Sequence, residues 1–71
     1  MTKEFYDKVQ AYRGIIDTFA KCGEYVGGGD GLVSLYEAEY STKVETRCPG
    51  CFGAMLLDFK NKITDYEKAN Q

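Results

Sequence analysis

Two runs of apolar residues, 47 positions apart, carry one and the same spacing. Phe5, Val9, Tyr12, Ile16 and Phe19 step along the chain by 4, 3, 4 and 3, and Phe52, Leu56, Phe59, Ile63 and Tyr66 repeat those steps. Steps of three and four return to one side of an α-helix, whereas a strand needs steps of two. The spacing therefore predicts two long amphipathic helices, from Thr2 to about Cys22 and from Pro49 to about Ala69. Ile15 and Met55 widen the two stripes. Few positions are identical between the runs, so they read as complementary core faces rather than a duplication. Seams of this kind pack as antiparallel or bundled helices, within one chain or between chains.

The ends of these helices are marked. Thr2 suits an N-cap before an acidic first turn, and Gly23 suits a helix stop. Pro49 suits the first helical position, where its missing N–H costs nothing. Between them, Gly27-Gly28-Gly29-Asp30-Gly31 reads as a flexible turn. It lacks the Gly-Lys-Ser/Thr ending and the dinucleotide spacing that phosphate-binding loops use. Leu32, Leu35, Tyr36 and Tyr40 predict a short middle helix capped by Asp30 or Ser34, Ser34 and Glu37 having the capping-box spacing. The β-branched residues from Ser41 to Arg47 suggest an extended stretch. The fold class is thus all-α, a small helical hairpin or three-helix bundle in one domain spanning residues 1–71.

A chain of 71 residues buries only about 60% of the surface its unfolded form exposes. Domains of this size commonly lean on a metal, a disulfide or a partner chain. The 44% hydrophobic content is too high for a disordered chain, and six Tyr and four Phe supply a core with polar handles. The longest charge-free stretch, Cys48 to Leu57, is too short to span a bilayer, which takes about 20 residues. The N-terminal residues contain no apolar signal-peptide core. Those two features predict a cytoplasmic protein with reduced thiols and no membrane partner. A net charge of −2 argues against nucleic-acid binding through a basic surface. The charge is uneven, however: residues 23–46 hold Glu24, Asp30, Glu37, Glu39 and Glu45 against Lys43 alone. That acidic middle is a solvated face or a docking surface for a basic partner.

Cysteine occurs at positions 22, 48 and 51, and histidine is absent. The two-residue spacing of Cys48-Pro49-Gly50-Cys51 lets both thiolates turn toward one tetrahedral ion. With Pro49 first in the helix, Cys48 becomes its N-cap and Cys51 its third residue. Helix-start amides and the positive end of the helix dipole favour thiolates there. A closed zinc site needs four ligands, and the pair supplies two. Cys22 becomes a third if the two long helices run antiparallel, with Glu24, Asp30 or Glu45 adding an oxygen. If they run parallel, Cys22 lies about 30 Å away (20 residues at about 1.5 Å each). A second solution joins Cys48 and Cys51 of two chains in one four-thiolate site. The plain alternative is that all three cysteines are bare thiols or small apolar residues.

Cys48, Pro49 and Cys51 resemble the Cys-Pro-x-Cys of the zinc hooks of double-strand-break repair ATPases, without their long coiled-coil arms. They also resemble the knuckle of zinc ribbons, although Phe52 displaces the usual glycine by one position. The dithiol at a helix start is similar to that of thioredoxin-like proteins, but no strand pattern precedes it. The run Leu35-Tyr36, Thr46-Arg47-Cys48-Pro49-Gly50-Cys51 and Met55-Leu56-Leu57-Asp58-Phe59 resembles short bacteriophage-encoded proteins in which a Cys-x-x-Cys pair opens a C-terminal helix. That resemblance covers about the last half of the chain and implies an accessory, assembly or virion-associated protein of the host cytoplasm or virion.

Catalysis is not expected. Without histidine the commonest general base is missing, Ser34 has no evident base, and Glu37 and Glu39 point in different directions on a helix. The sequence therefore predicts a small structural or interaction protein, stabilised by a zinc–thiolate site or by self-association. Two alternatives remain: a thiol redox protein using Cys48 and Cys51, and a regulator that docks a host protein through the acidic middle.

Overall fold

The computed structural model describes residues 1–70 and contains four helices: α1 (Lys3–Gln10), α2 (Arg13–Cys22), α3 (Asp30–Tyr40) and α4 (Pro49–Ala69). No strand occurs among the described residues, so the fold is all-α. The first apolar run was expected to form one continuous helix and instead forms two. At Tyr12 (φ −112°, ψ 12°) the chain tightens, its N–H reaching back three residues to the Val9 carbonyl at 2.9 Å. The helix then restarts from the Tyr12 carbonyl, which accepts from Ile15 and Ile16. The break falls just before Gly14, a residue that costs a helix interior about 1 kcal/mol relative to alanine. It also falls where the Tyr12 side chain leans over Gly31 of α3.

The apolar periodicity survives this break. Phe5, Val9 and Ile16 are buried from the first run and Leu56, Phe59 and Ile63 from the second. Met55 and Leu32 complete the core, while Tyr12, Phe19, Tyr36, Tyr40 and Phe52 pack partly buried around it. Phe59 is fully buried and stands 6.0 Å from Phe5 and 5.3 Å from Tyr36, ring centre to ring centre.

Side-chain pairs give the directions of the helices. Tyr6 stacks on Tyr66 at 4.5 Å, Asp17 pairs with Lys60 at 2.9 Å, and Phe19 reaches Gly53. The α1–α2 segment thus runs antiparallel to α4. Tyr25 near Gly29 touches Phe52, Tyr36 donates to Asp58 at 2.9 Å, and Lys62 sits over the Tyr40 ring. Hence α3 runs parallel to α4. A parallel neighbour obliges the connection 41–48 to return along α3, about 16 Å for 11 residues. Eight residues reach that far with slack. The connection is irregular rather than a strand, and the Val44 N–H anchors it by donating to the Glu37 carboxylate at 2.8 Å.

The caps are partly as expected. Thr2 caps α1 by accepting from the Phe5 N–H, and Gly23 ends α2 in the left-handed conformation (φ 73°). Gly29, not Asp30 or Ser34, is the N-cap of α3, and no side chain caps that helix. Ser34 lies inside α3, and Glu37 is turned to the 41–48 connection, so the capping box does not form.

Across the α1–α2 break runs a chain of charged groups. Glu67 accepts from Tyr6 at 2.6 Å and takes a bidentate pair from Arg13 at 3.1 and 3.2 Å. Arg13 also pairs with Asp17, which is held from the other side by Lys60. Hydrogen bonds from Arg13 and Tyr6 hold the Glu67 carboxyl below its ordinary range, and Lys60 and Arg13 do the same for Asp17. These groups are partly exposed, so solvent screens each pair and its contribution to stability is small.

Lowered carboxylate pKa values stabilise the fold above the unfolded values near 4 and lose that effect as pH falls through the folded ones. We expect the melting temperature to drop below about pH 4, and Glu67→Gln to be less stable at pH 7 but flatter in acid, as read by circular dichroism. A second test concerns glycines. A Cβ on Gly31 would collide with the Tyr12 hydroxyl, whereas one on Gly14 meets nothing within 4 Å. Gly31→Ala should destabilise by about 1–3 kcal/mol, and Gly14→Ala should stabilise by up to about 1 kcal/mol, in urea unfolding.

Candidate thiol site

Cys48 precedes α4 with extended backbone (φ −98°, ψ 106°), and Pro49 occupies the first helical turn behind it. Proline biases the residue before it away from the helical conformation, which is what an N-cap requires. Cys51, three residues on, points its backbone N–H at the Cys48 sulfur at 3.3 Å. The same spacing brings the thiols together: Cys51 Sγ donates to Cys48 Sγ at 2.7 Å. That is longer than the roughly 2.05 Å of a disulfide bond, and both cysteines are free thiols. Cys51 is exposed and Cys48 half-buried, so reagents reach the pair from solvent.

The two sulfurs are not equivalent. The Cys51 thiol, followed by the backbone N–H groups of Cys51 and Gly50, stabilises the Cys48 thiolate and holds its pKa below the ordinary 9.0. Cys51 moves the other way, because its proton is engaged by Cys48 and a second negative charge beside the first is opposed. The nearby Glu45 carboxylate disfavours ionisation of both. The helix start was expected to favour both thiolates. It favours one, because a second thiolate beside the first is opposed.

Cys22 is not brought to them as a metal-ligand set. It is exposed at the last position of α2. The antiparallel course of α2 and α4 does place that end of α2 beside the start of α4, since Gly23 lines a cavity with Pro49 and Gly50. Among the described residues, though, no three of His, Cys, Asp and Glu are grouped to hold a metal ion. The oxygens of Glu24, Asp30 and Glu45 likewise fail to complete such a group. Gly23 ends α2 in a left-handed turn, and the chain leaves Cys22 on the outer surface.

The same cavity, about 630 Å³, was not foreseen. Phe19, Tyr25 and Phe52 line it together with Asp30 and Thr46. Its signal in the sequence is Tyr25, an aromatic residue set in a polar, glycine-rich segment where no core periodicity calls for one.

No family model, no curated protein and no solved structure matches this chain.

The inequality of the thiols can be measured. Alkylation by iodoacetamide, followed by peptide mass spectrometry, should label Cys48 before Cys51 at neutral pH. Cys51→Ala removes the donor to Cys48, and the pH midpoint of Cys48 labelling should then rise. An unchanged midpoint would show that the neighbouring thiol does not set the reactivity of Cys48.

Proposed function

We propose that this chain is a small non-enzymatic structural or interaction protein whose working group is the Cys48–Cys51 pair, a two-thiolate clamp for zinc. The observation that supports this reading is the presence of two solvent-reachable sulfurs side by side on one helix start, one of them disposed to ionise. Thiolates are the soft ligands that zinc prefers, and Cys-x-x-Cys is a common half of a four-ligand site. The absence of histidine removes the usual partner for a catalytic thiol, which supports binding over catalysis. With two ligands from this chain, the other two come from a second copy, so the metal also serves as the link of self-association. The accessory or assembly role implied by the resemblance to phage proteins is one that such a linker fills.

A second reading is favoured by the inequality of two adjacent free thiols, one disposed to ionise and the other to keep its proton. A dithiol of this form gives up two electrons and two protons to a disulfide substrate. The Cys48 thiolate attacks one substrate sulfur and expels the other as a thiolate. Cys51 then attacks Cys48 in the mixed disulfide, releasing the second substrate thiol and leaving a Cys48–Cys51 disulfide.

Native mass spectrometry of reduced protein with zinc, before and after a strong chelator, separates the two. We expect one zinc per dimer, return to monomer on chelation, and no metal uptake by Cys48→Ser. A protein that stays monomeric and metal-free, yet cycles its disulfide against glutathione, would replace the clamp with the redox reading.

A further inference from the structure

The cavity between the end of α2 and the start of α4 has a chemistry of its own. Three aromatic side chains, Phe19, Tyr25 and Phe52, border it, and Tyr25 and Phe52 lie 4.7 Å apart, ring centre to ring centre. Gly50 and Gly53 of α4 also line it, the Phe19 ring lying directly against Gly53. Its only ionisable side chain apart from the Tyr25 phenol is Asp30, at the first turn of α3. Among the described residues no hydrogen-bond or ion-pair partner meets the Asp30 carboxylate. Among the described residues no lysine or arginine lines the space, and the surrounding segment 23–46 carries a net charge of −4.

These features select among occupants. An anion would meet Asp30 and the negative faces of aromatic rings. A neutral apolar group would leave the exposed Asp30 carboxylate without a partner. A cation with a flat or apolar body satisfies both halves of the site, since aromatic rings attract cations and the carboxylate pairs with them. Guanidinium fits best, being planar, weakly hydrated and able to stack on a ring while forking onto a carboxylate. The cavity falls within the roughly 300–1,000 Å³ of ligand sites and exceeds one side chain, leaving room for apolar neighbours in a peptide.

We propose that this cavity binds an arginine side chain presented, between apolar neighbours, by a basic segment of a partner protein. Asp30 receives the guanidinium, the three aromatic residues enclose it, and the acidic middle segment draws the basic partner in. The site shares the first turn of α4 with the thiol pair but is lined by neither sulfur, and it does not depend on metal.

The test is a titration of ¹⁵N-labelled protein with a blocked seven-residue peptide holding one central arginine between leucines in a glycine–serine frame. The control replaces arginine by citrulline, which keeps the shape and removes the charge. We expect saturable amide shifts at Gly23, Gly50, Phe52 and Gly53, with binding at least about fivefold weaker for the citrulline peptide, the size expected on losing a cation–π contact and a charged hydrogen bond. Asp30→Asn should weaken the arginine peptide by a similar factor with helical circular dichroism retained, and Cys48→Ser should bind it unchanged. Equal binding of the two peptides, indifference to Asp30→Asn, shifts confined to other surfaces, or no saturable shift would each overturn the proposal.

Discussion

Phe59 is where three segments of this chain become one body. It has no exposed surface, and its ring meets Phe5 from α1 on one side and Tyr36 from α3 on another. Neither α1 nor α3 is long, at 8 and 11 residues, and isolated helices shorter than about 12–15 residues are marginal in water. Their helicity therefore depends on burying an apolar side against α4, and Phe59 stands at the centre of that burial. Tyr40 extends the contact by setting its ring edge-on to Phe5, at 5.9 Å and 88°. The 21-residue α4 is thus the scaffold on which the shorter helices are held.

The break between α1 and α2 looks at first like a weakness in such a small domain, yet its neighbours bind both halves to the scaffold. Arg13 is the first residue of α2 and grips Glu67 near the far end of α4, the same carboxylate that accepts from Tyr6 of α1. One acceptor thereby fastens both pieces. Tyr12, freed from regular helix, covers the glycine at position 31, where any side chain would collide with its hydroxyl. A straight helix would keep the spacing of its apolar residues but would not need this small residue beneath Tyr12.

Much of this was legible in the residues. The 4-3-4-3 runs identify Phe5, Val9, Ile16, Leu56, Phe59 and Ile63 as core, because helical periodicity is a consequence of burial and survives a local break. Thr2, Gly23 and Pro49 mark helix ends through chemistry confined to one turn. The break at Tyr12 was not read from the sequence: Gly14 only weakens the helix there, and the seat of Tyr12 over Gly31, nineteen positions on, is a tertiary contact. Nor was the N-cap of α3, where a glycine supplies conformation and no side-chain signal. The Cys48–Cys51 contact was legible because three residues of one helix start determine it. The place of Cys22 was not, because it depends on how α2 ends and how the chain departs from Gly23.

The cavity illustrates the same division between local and distant causes. Several of its walls have a local reason to exist: Gly23 ends a helix, and Pro49 and Gly50 form the first turn of α4. These are positions where helices meet loops, and they are occupied by residues with little or no side chain. When antiparallel α2 and α4 bring such ends together, there is not enough side-chain volume to fill the space between them. A chain under pressure only to be stable would close the gap, since unfilled volume forfeits dispersion contacts. Here Phe19, Tyr25 and Phe52 border it instead, with Tyr25 held in place by the Gly29 N–H donating to its hydroxyl at 2.7 Å. An aromatic residue fixed in a glycine-rich loop, 42% exposed beside an unpaired carboxylate, contributes little to burying the core. Its position is accounted for by the Gly29 N–H that its hydroxyl accepts and by the Phe52 ring it packs against.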